Sequence, residues 1–353
     1  MVEHSQILKT NDFLSYRTLI WRRFRKNRMG IIALVILGIF YFSAVFAEYF
    51  APYDHKEIQI HRRHVPPQKI YYNLSDGLYV HGLITTKNPK TLELEYQKNS
   101  NKTFPVWFLS WDLKGNFKLL HSEGPMHLLG TDRMGRDLLS RIIHGARVSL
   151  TVGIIGVLIS ILLGSILGTL SGYLGGWIDH LLQRLIEIVS SFPPIPLWMA
   201  LGAALPATWT SIETYFAITI ILSIISWGSL AREVRGKVLV YREQDYTLAA
   251  LSAGASNWYI ISRHLLPGCY SHIIVIGTLA IPFMILSETA LSFLGLGIRP
   301  PMTSWGVLLE EAQRVTVLLH YPWLLFPAAP VLIVVIAFNF LGDALRDAAD
   351  PYS

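Results

Sequence analysis

Six apolar runs govern what this chain can become. They lie at residues 29–47, 148–178, 188–212, 214–230, 265–298 and 315–342, and Glu288 is the one carboxylate among them. About twenty such residues in a helix cross the roughly 30 Å of a bilayer's hydrocarbon. No soluble domain of this length hides that many uninterrupted apolar stretches, and 52% of the residues are hydrophobic. The runs therefore predict an all-α polytopic membrane protein with six transmembrane helices.

The first run has a competing reading as a signal peptide, because Val45-Phe46-Ala47 resembles a cleavage site. The run is longer than the usual 7–15 apolar residues of such a peptide, so it reads as a span. Residues before it are rich in Lys and Arg, including Lys9, Arg22, Arg23, Arg25, Lys26 and Arg28. By the positive-inside rule this places the N-terminus in the cytoplasm. Six spans return the C-terminus to the same side. The charge excess of +6 is spread beside spans and not gathered on one face, so nucleic acid is not expected as a partner. Cys269 is the single cysteine, which excludes an intrachain disulfide and a thiolate metal cluster.

These boundaries divide the chain into a basic cytoplasmic segment 1–28, a first span 29–50, an extracytoplasmic subdomain 51–146 and a five-helix core 147–353. The subdomain alternates apolar and polar residues at 77–85, 91–96, 104–111 and 117–120, with turn signals at Asn88-Pro89 and Lys114-Gly115-Asn116. That pattern predicts a small β-rich insertion. Its lysines do not oppose an outer location, since loops beyond about 60 residues escape the charge rule. In the second run Gly156, Ser160, Gly164, Gly168 and Gly172 recur every four residues. On a helix they form a stripe along which another backbone can approach closely.

Between the fourth and fifth runs lies a polar loop, 245–267, of sequence DYTLAALSAGASNWYIISRHLLP. It reads as two short helices: Asp245 as the N-cap of the first, Gly254 at its left-handed end, Ser256 as the cap of the second, and Pro267 helping to stop it. Two turns are too few to be stable alone in water, so the loop needs a surface on which to dock. Arg232, Arg235, Lys237, Arg242 and Arg263 surround it, as a cytoplasmic location requires.

No enzyme motif is present in the sequence. HExxH, G-x-S-x-G and Walker A patterns are missing, and Arg235-Gly236-Lys237 resembles a P-loop tail only until Ala231 is found where the earlier glycine belongs. The close pair His61 and His64 reads as part of a solvated loop, and no metal site is expected. Two rivals are weighed on Glu288. An ion-driven transporter would carry several buried carboxylates, and an intramembrane protease pairing Glu288 with Asp343 would need them at one membrane depth.

The loop resembles the EAA motif of bacterial ABC importer permeases. Ala249, Ala250, Gly254, Leu266 and Pro267 fall on its pattern, while Leu248 replaces the usual Glu and His264 a usual aliphatic residue. Three further stretches resemble the C-type permease subunit of dipeptide, oligopeptide and nickel importers. They are HLLGTDRMGRD at 127–137, continuing to Leu150; LSFLGLG at 291–297 with Pro300-Pro301 and Ser304-Trp305-Gly306; and Gly342-Asp343 with Arg346-Asp347 and Asp350-Pro351. The resemblance implies a type I importer fold in the bacterial inner membrane, with both termini cytoplasmic. It implies a second permease subunit, two ATP-binding subunits that hold ATP and Mg, and a solute-binding protein. The chain itself would bind no cofactor. The implied substrate is a peptide, with nickel or another small solute as the alternative. Asp245, Tyr246, Leu248, Ala249, Ala250, Gly254, Leu266 and Pro267 would then form the ATPase-coupling loop. Glu288 either lines the path, pairs with a partner subunit, or makes a satisfied contact near the membrane edge. Arg133, Arg136 and Asp137 either meet a partner at the outer surface or cap and anchor the second helix.

Overall fold

The computed structural model describes residues 16–74, 77–87, 89, 94–112 and 115–349. Lys9, Asn88, residues 91–93, Lys114 and the Asp350-Pro351 ending lie outside the described residues. Helix α1 (Tyr16–Lys26) carries the basic cluster and turns its Phe24 onto Ala344 and Ala348. Asn27 starts α2 (Arg28–Val45) by accepting the Gly30 N–H at 3.0 Å through its side chain. The small residues Gly30, Ala33 and Ala44 are buried with Leu37, while Ile32, Val35, Ile39 and Phe42 remain outside. A short α3 (Ala47–Phe50) follows.

Strands β1 (Tyr71–Asn73), β2 (Gly77–Lys87), β3 (Leu94–Trp111) and β4 (Phe117–Ser122) then form an antiparallel meander in chain order. The described part of the stretch expected at 91–96 and the stretch at 104–111 belong to one strand, whose pairing with β2 shifts register between His81 and Gly82. The alternation breaks there because a bulge inserts residues without ending the strand. Val80, Val106 and Met126 make its small core. Lys118 ties it to the first span by donating to the carbonyls of Glu48 (2.7 Å) and Ala51 (2.9 Å).

Helix α4 (Leu138–Leu174) is 37 residues long. From Ser160 to Gly172 its small-residue stripe faces α7 (Ser211–Arg242), while Gly156 meets Met284: a Cβ on Gly168 would stand 2.4 Å from the Ala231 carbonyl oxygen, and one on Gly164 2.6 Å from Leu230. Close backbone approach is what the stripe provides. The apolar run does not continue as one helix to 178, because Gly175 (φ +64°) and Gly176 (φ +56°) take positive-φ backbone and redirect the chain into a new helix.

The run expected as the third span, 188–212, falls on the end of one helix and the whole of a second, a bent pair that begins at Gly176. Helices α5 (Gly176–Ser191) and α6 (Pro194–Ala203) meet at 86°. Pro193 and Pro194 lack the N–H groups that would continue α5, so the chain turns there. A capping box between Thr210 and Glu213 opens α7. Beyond it come α8 (Asp245–Ser252), α9 (Asn257–Ile260), a π-helical turn (Ile261–Leu265) and α10 (Leu266–Phe293). Then α11 (Trp305–Glu310) and α12 (Val315–His320) lead to α13 (Ala328–Ala349). The last apolar run is thus interrupted near Pro322 and Pro327 and extends past Gly342.

Five helical stretches among the described residues are long and apolar enough to cross a membrane, and the bent pair brings the number to six. The core groups around Trp305, Ile285 and Val334 at one end and around Leu230, Val234 and Leu265 at the other.

Candidate coupling loop and partner-facing sites

The loop 245–267 is built by its caps. Gln244, not Asp245, is the N-cap of α8, and Asp245 stands in the first helical turn without a side-chain capping bond. One residue separates the two positions, and the extended backbone falls on Gln244. Asp245 still lies where a negative charge favours the helix N-terminus. At the other end Gly254 has φ +81°. Its N–H reaches the Leu251 carbonyl and the Ala255 N–H the Ala250 carbonyl, each at 3.0 Å. Those two bonds define a Schellman cap. Ser256 caps α9 by accepting the Tyr259 N–H at 3.3 Å.

Pro267 does not stop the second helix. The π turn fuses α9 to α10, and Pro267 sits in the first turn of α10, where a missing N–H is tolerated. Asn257 to Phe293 is therefore one 37-residue helical stretch that begins in the loop and ends across the membrane. Ile260, Ile261 and Leu265 bury themselves against Leu230, Val234 and Val238 of α7. Thr247 anchors α8 by donating to the Tyr241 carbonyl at 2.9 Å.

With its inner side so fixed, the loop presents Tyr246, Leu248, Leu251, Trp258 and Tyr259 outward, Trp258 being 73% exposed. Ala249 is also exposed, Ala250 and Leu266 are half-buried, and Pro267 faces out. Clustered apolar exposure of this kind marks an interaction surface. The same end of the bundle holds an ion pair that sequence pattern did not reveal. Arg235 of α7 donates twice to Asp179 of α5, both bonds 2.6 Å. Asp179 also accepts from Ser171 of α4. The Arg–carboxylate fork clamps the amphipathic α5 to α7.

At the opposite end, Asp137 is buried and caps α4, accepting the Ser140 N–H at 2.8 Å, with its other oxygen 3.0 Å from His127 Nδ1. Arg136 donates through Nε to Asp132 at 2.6 Å. Arg133 extends into solvent, and its backbone N–H donates to Glu311 at 2.7 Å. The centre of this turn is a residue the sequence reading passed over. Asp132 is fully buried and accepts from Met134 N–H, Arg136 N–H, Arg136 and Arg141. Burial, and then the nearby Asp132 carboxylate, push Glu311 above the usual carboxylate range. A cavity of about 270 Å³ opens here between Arg133, Arg136, Arg141, Arg314, Glu310 and Glu311.

Glu288 is fully buried within this chain. It accepts from Ser292 at 2.7 Å and Ser149 at 3.3 Å. Ser149 in turn accepts the Trp305 N–H at 3.1 Å, and Ser292 the Ile298 N–H at 3.1 Å. One carboxylate thus knots α10, α4 and the segment that leads into α11. Glu288→Gln, which keeps acceptor and volume, is expected to retain assembly and a near-wild-type melting midpoint. Glu288→Leu strands the hydroxyls at about 1–3 kcal/mol each, and its midpoint in detergent should fall clearly below that of the Gln variant.

A second cavity, of about 500 Å³, lies at the α5–α6 elbow. Ser160, Ser226 and Ser229 meet Phe192, Trp198 and Phe283 there. The run at 188–212 gave no signal of it, because a straight helix would have filled the space.

A family model for the binding-protein-dependent transport system inner membrane component matches residues 146–352. A second, for the N-terminal transmembrane domain of oligopeptide transport permease C, matches residues 15–67. Among curated proteins, the glutathione transport system permease protein GsiD of Pectobacterium atrosepticum is 40% identical over 232 residues, 65% of this chain and 75% of that protein. The protein of the same name from Shigella flexneri serotype 5b is 35% identical over 331 residues, 94% of this chain and 89% of that protein. Among solved structures, the crystal structure of an amino acid ABC transporter with histidines aligns with a TM-score of 0.43 and 17% identity, over 58% of this chain and 92% of that chain. That likeness adds nothing to the sequence matches. The matched segments and a relative aligned over 94% of the chain make it a member of the binding-protein-dependent transport system inner membrane component family, a non-enzymatic, multi-pass permease subunit of an ABC importer.

Proposed function

We propose that this permease carries peptides inward, driven by two partner ATPases that dock on the loop 245–267. The observation that carries the reading is the rigidly capped α8–α9 pair with Tyr246, Leu248, Leu251, Trp258 and Tyr259 turned outward. A short amphipathic helix in a partner's groove is a common recognition mode. Displacement of α8 pulls directly on α7, and displacement of α9 is delivered to α10 through the π turn. The Asp179–Arg235 clamp passes the movement of α7 to α5 and the elbow. Those helices border the 500 Å³ cavity, which is the proposed part of the path within this subunit. ATP and Mg belong to the ATPases, and a second permease closes the other half of the path. Alternating access then requires only that the ATP-bound ATPases favour one packing of these helices over the other.

The substrate is a peptide delivered by an extracytoplasmic solute-binding protein. Support comes from the relatives named as glutathione permeases, since glutathione is itself a small peptide. Uptake of labelled di- and tripeptides by cells with and without the chain, competed by unlabelled peptide or by nickel, tests this. Peptide competition alone is expected, and competition by nickel alone would overturn it.

The proposed topology puts α1, the loop 245–267 and the C-terminal end of α13 in the cytoplasm. The meander and the 130–137 turn lie outside, where Arg133, exposed at the rim beside Glu311, would meet a partner. The basic residues of α1 and those around α8 support this orientation. In a Cys269→Ala chain, cysteines at Ser100 and at the exposed Trp258 should react with impermeant maleimide from opposite faces. Labelling of both from outside intact cells would contradict the six-span arrangement.

A further inference from the structure

The β3–β4 ribbon ends in a cluster of exposed apolar side chains that the coupling mechanism does not use. Trp107, Phe108, Leu109, Trp111 and Phe117 are all exposed, Trp111 by 70%. Phe117 pairs across the strands with Trp111, their rings 5.3 Å apart. From Phe117 an unbroken series of ring contacts leads back to the first span. Phe117 lies 5.6 Å from Tyr49, Tyr49 5.2 Å from Phe50, and Phe50 5.7 Å from Phe42. Phe42 belongs to the outward stripe of α2, with Ile32, Val35, Ile39 and Phe46.

The ribbon is also fixed in height. Lys118 donates to the carbonyls of Glu48 and Ala51 just beyond the end of α2, and so holds β4 beside the end of the span. Arg147 secures that end further by donating to the Ala44 and Val45 carbonyls and to Glu48. The aromatic cluster therefore sits where the hydrocarbon of the first span gives way to water.

We propose that the end of the β3–β4 ribbon is a membrane anchor, laid into the headgroup–acyl boundary of the outer leaflet beside α2. Three observations favour lipid over a soluble partner. A series of ring contacts joins the patch to the outward stripe of the span. Trp107 and Phe108 are sequence neighbours and so point to opposite faces of the ribbon. Apolar side chains on both faces suit immersion in a fluid layer, whereas a docked protein covers one face. Tryptophan and other aromatics, with polar turn residues Asp112 and Asn116 beyond them, are the composition that settles at this depth. The anchor would hold the outer meander flat on the membrane, clear of the 130–137 turn.

The test uses the full Cys269→Ala chain in its assembled importer, in nanodiscs of phosphatidylethanolamine and phosphatidylglycerol. An environment-sensitive fluorophore is placed on Trp111→Cys, and separately on Phe108→Cys so that one poorly folding variant does not decide the matter. Phe46→Cys and Ser100→Cys serve as the span and solvent references. With a lipid nitroxide carried near the headgroup, both ribbon labels should be quenched by roughly twofold, as at Phe46, while Ser100 is unaffected. Quenching at Phe46 but at neither ribbon site would overturn the anchor. So would shielding of the ribbon labels only after the solute-binding protein is added, which would make that protein the occupant. Absence of quenching at Phe46 would overturn it as well, by placing the stripe against protein.

Discussion

Gly254→Asp is expected to leave the chain inserted and paired with its partner permease, yet to lower ATP-driven uptake by at least about tenfold. The argument starts from the space around the residue. Beyond Gly254 itself and its two chain neighbours, no described atom lies within 4 Å of where a Cβ on Gly254 would stand, so the substitution meets no packed neighbour. The backbone at φ +81° costs a side chain roughly 1 kcal/mol. That cost is modest, and Asn and Asp tolerate the left-handed region better than other residues. What remains is a carboxylate placed in the docking surface, where desolvating it without a partner is far more expensive. A docking loss of about 1.4 kcal/mol already makes tenfold. Gly254→Asn, isosteric and neutral, should therefore be milder than Asp. Asp245→Ala should be close to wild type, because Gln244 and not Asp245 occupies the cap and only a helix-dipole contribution of a few tenths of a kcal/mol is lost. Co-purification of the ATPases and uptake in vesicles read all three.

Asp132→Ala is expected to destabilise the permease by about 3–5 kcal/mol, the range seen when one partner of a buried ion pair is removed. Asp132 is fully buried, and Arg141 beside it is 3% exposed. Without the carboxylate, Arg141 keeps a buried charge that has lost its partner, and the Met134 and Arg136 N–H groups lose their acceptor. The unfolding midpoint in detergent should fall on the order of 5–10 °C. Arg133→Ala, at the exposed rim of the same turn, should leave it unchanged. Equal midpoints for the two variants would show that Asp132 is not the centre of the turn.

The parts of this molecule that were legible in the sequence are the local ones. Ser256 and Gly254 announced their caps because capping depends on a few neighbouring residues. The Gly156–Gly172 spacing announced a packing face because a helix repeats every 3.6 residues. The elbow was hidden: hydropathy records that residues are apolar, not that Gly175-Gly176 and Pro193-Pro194 bend the chain between them. Pro267 misled for a related reason, since a proline ends a helix or begins one and only the fused π turn decides. Long-range pairs left no trace. Arg133 and Glu311 are 178 positions apart, and Arg235 and Asp179 56. Lys118 looked like one more lysine of a polar loop until its carbonyl partners appeared.

Cross-linking between the loop and the ATPase tests the central claim most directly. Single cysteines at Leu248, Leu251 and Tyr246 of a Cys269→Ala chain, in the assembled importer, would be treated with a short bifunctional maleimide against cysteines in the ATPase groove. The account predicts strong products from all three positions, with yields that change when ATP is bound, and none from a cysteine at Ser100. An intact, transporting complex that gives no product from any loop position would contradict it.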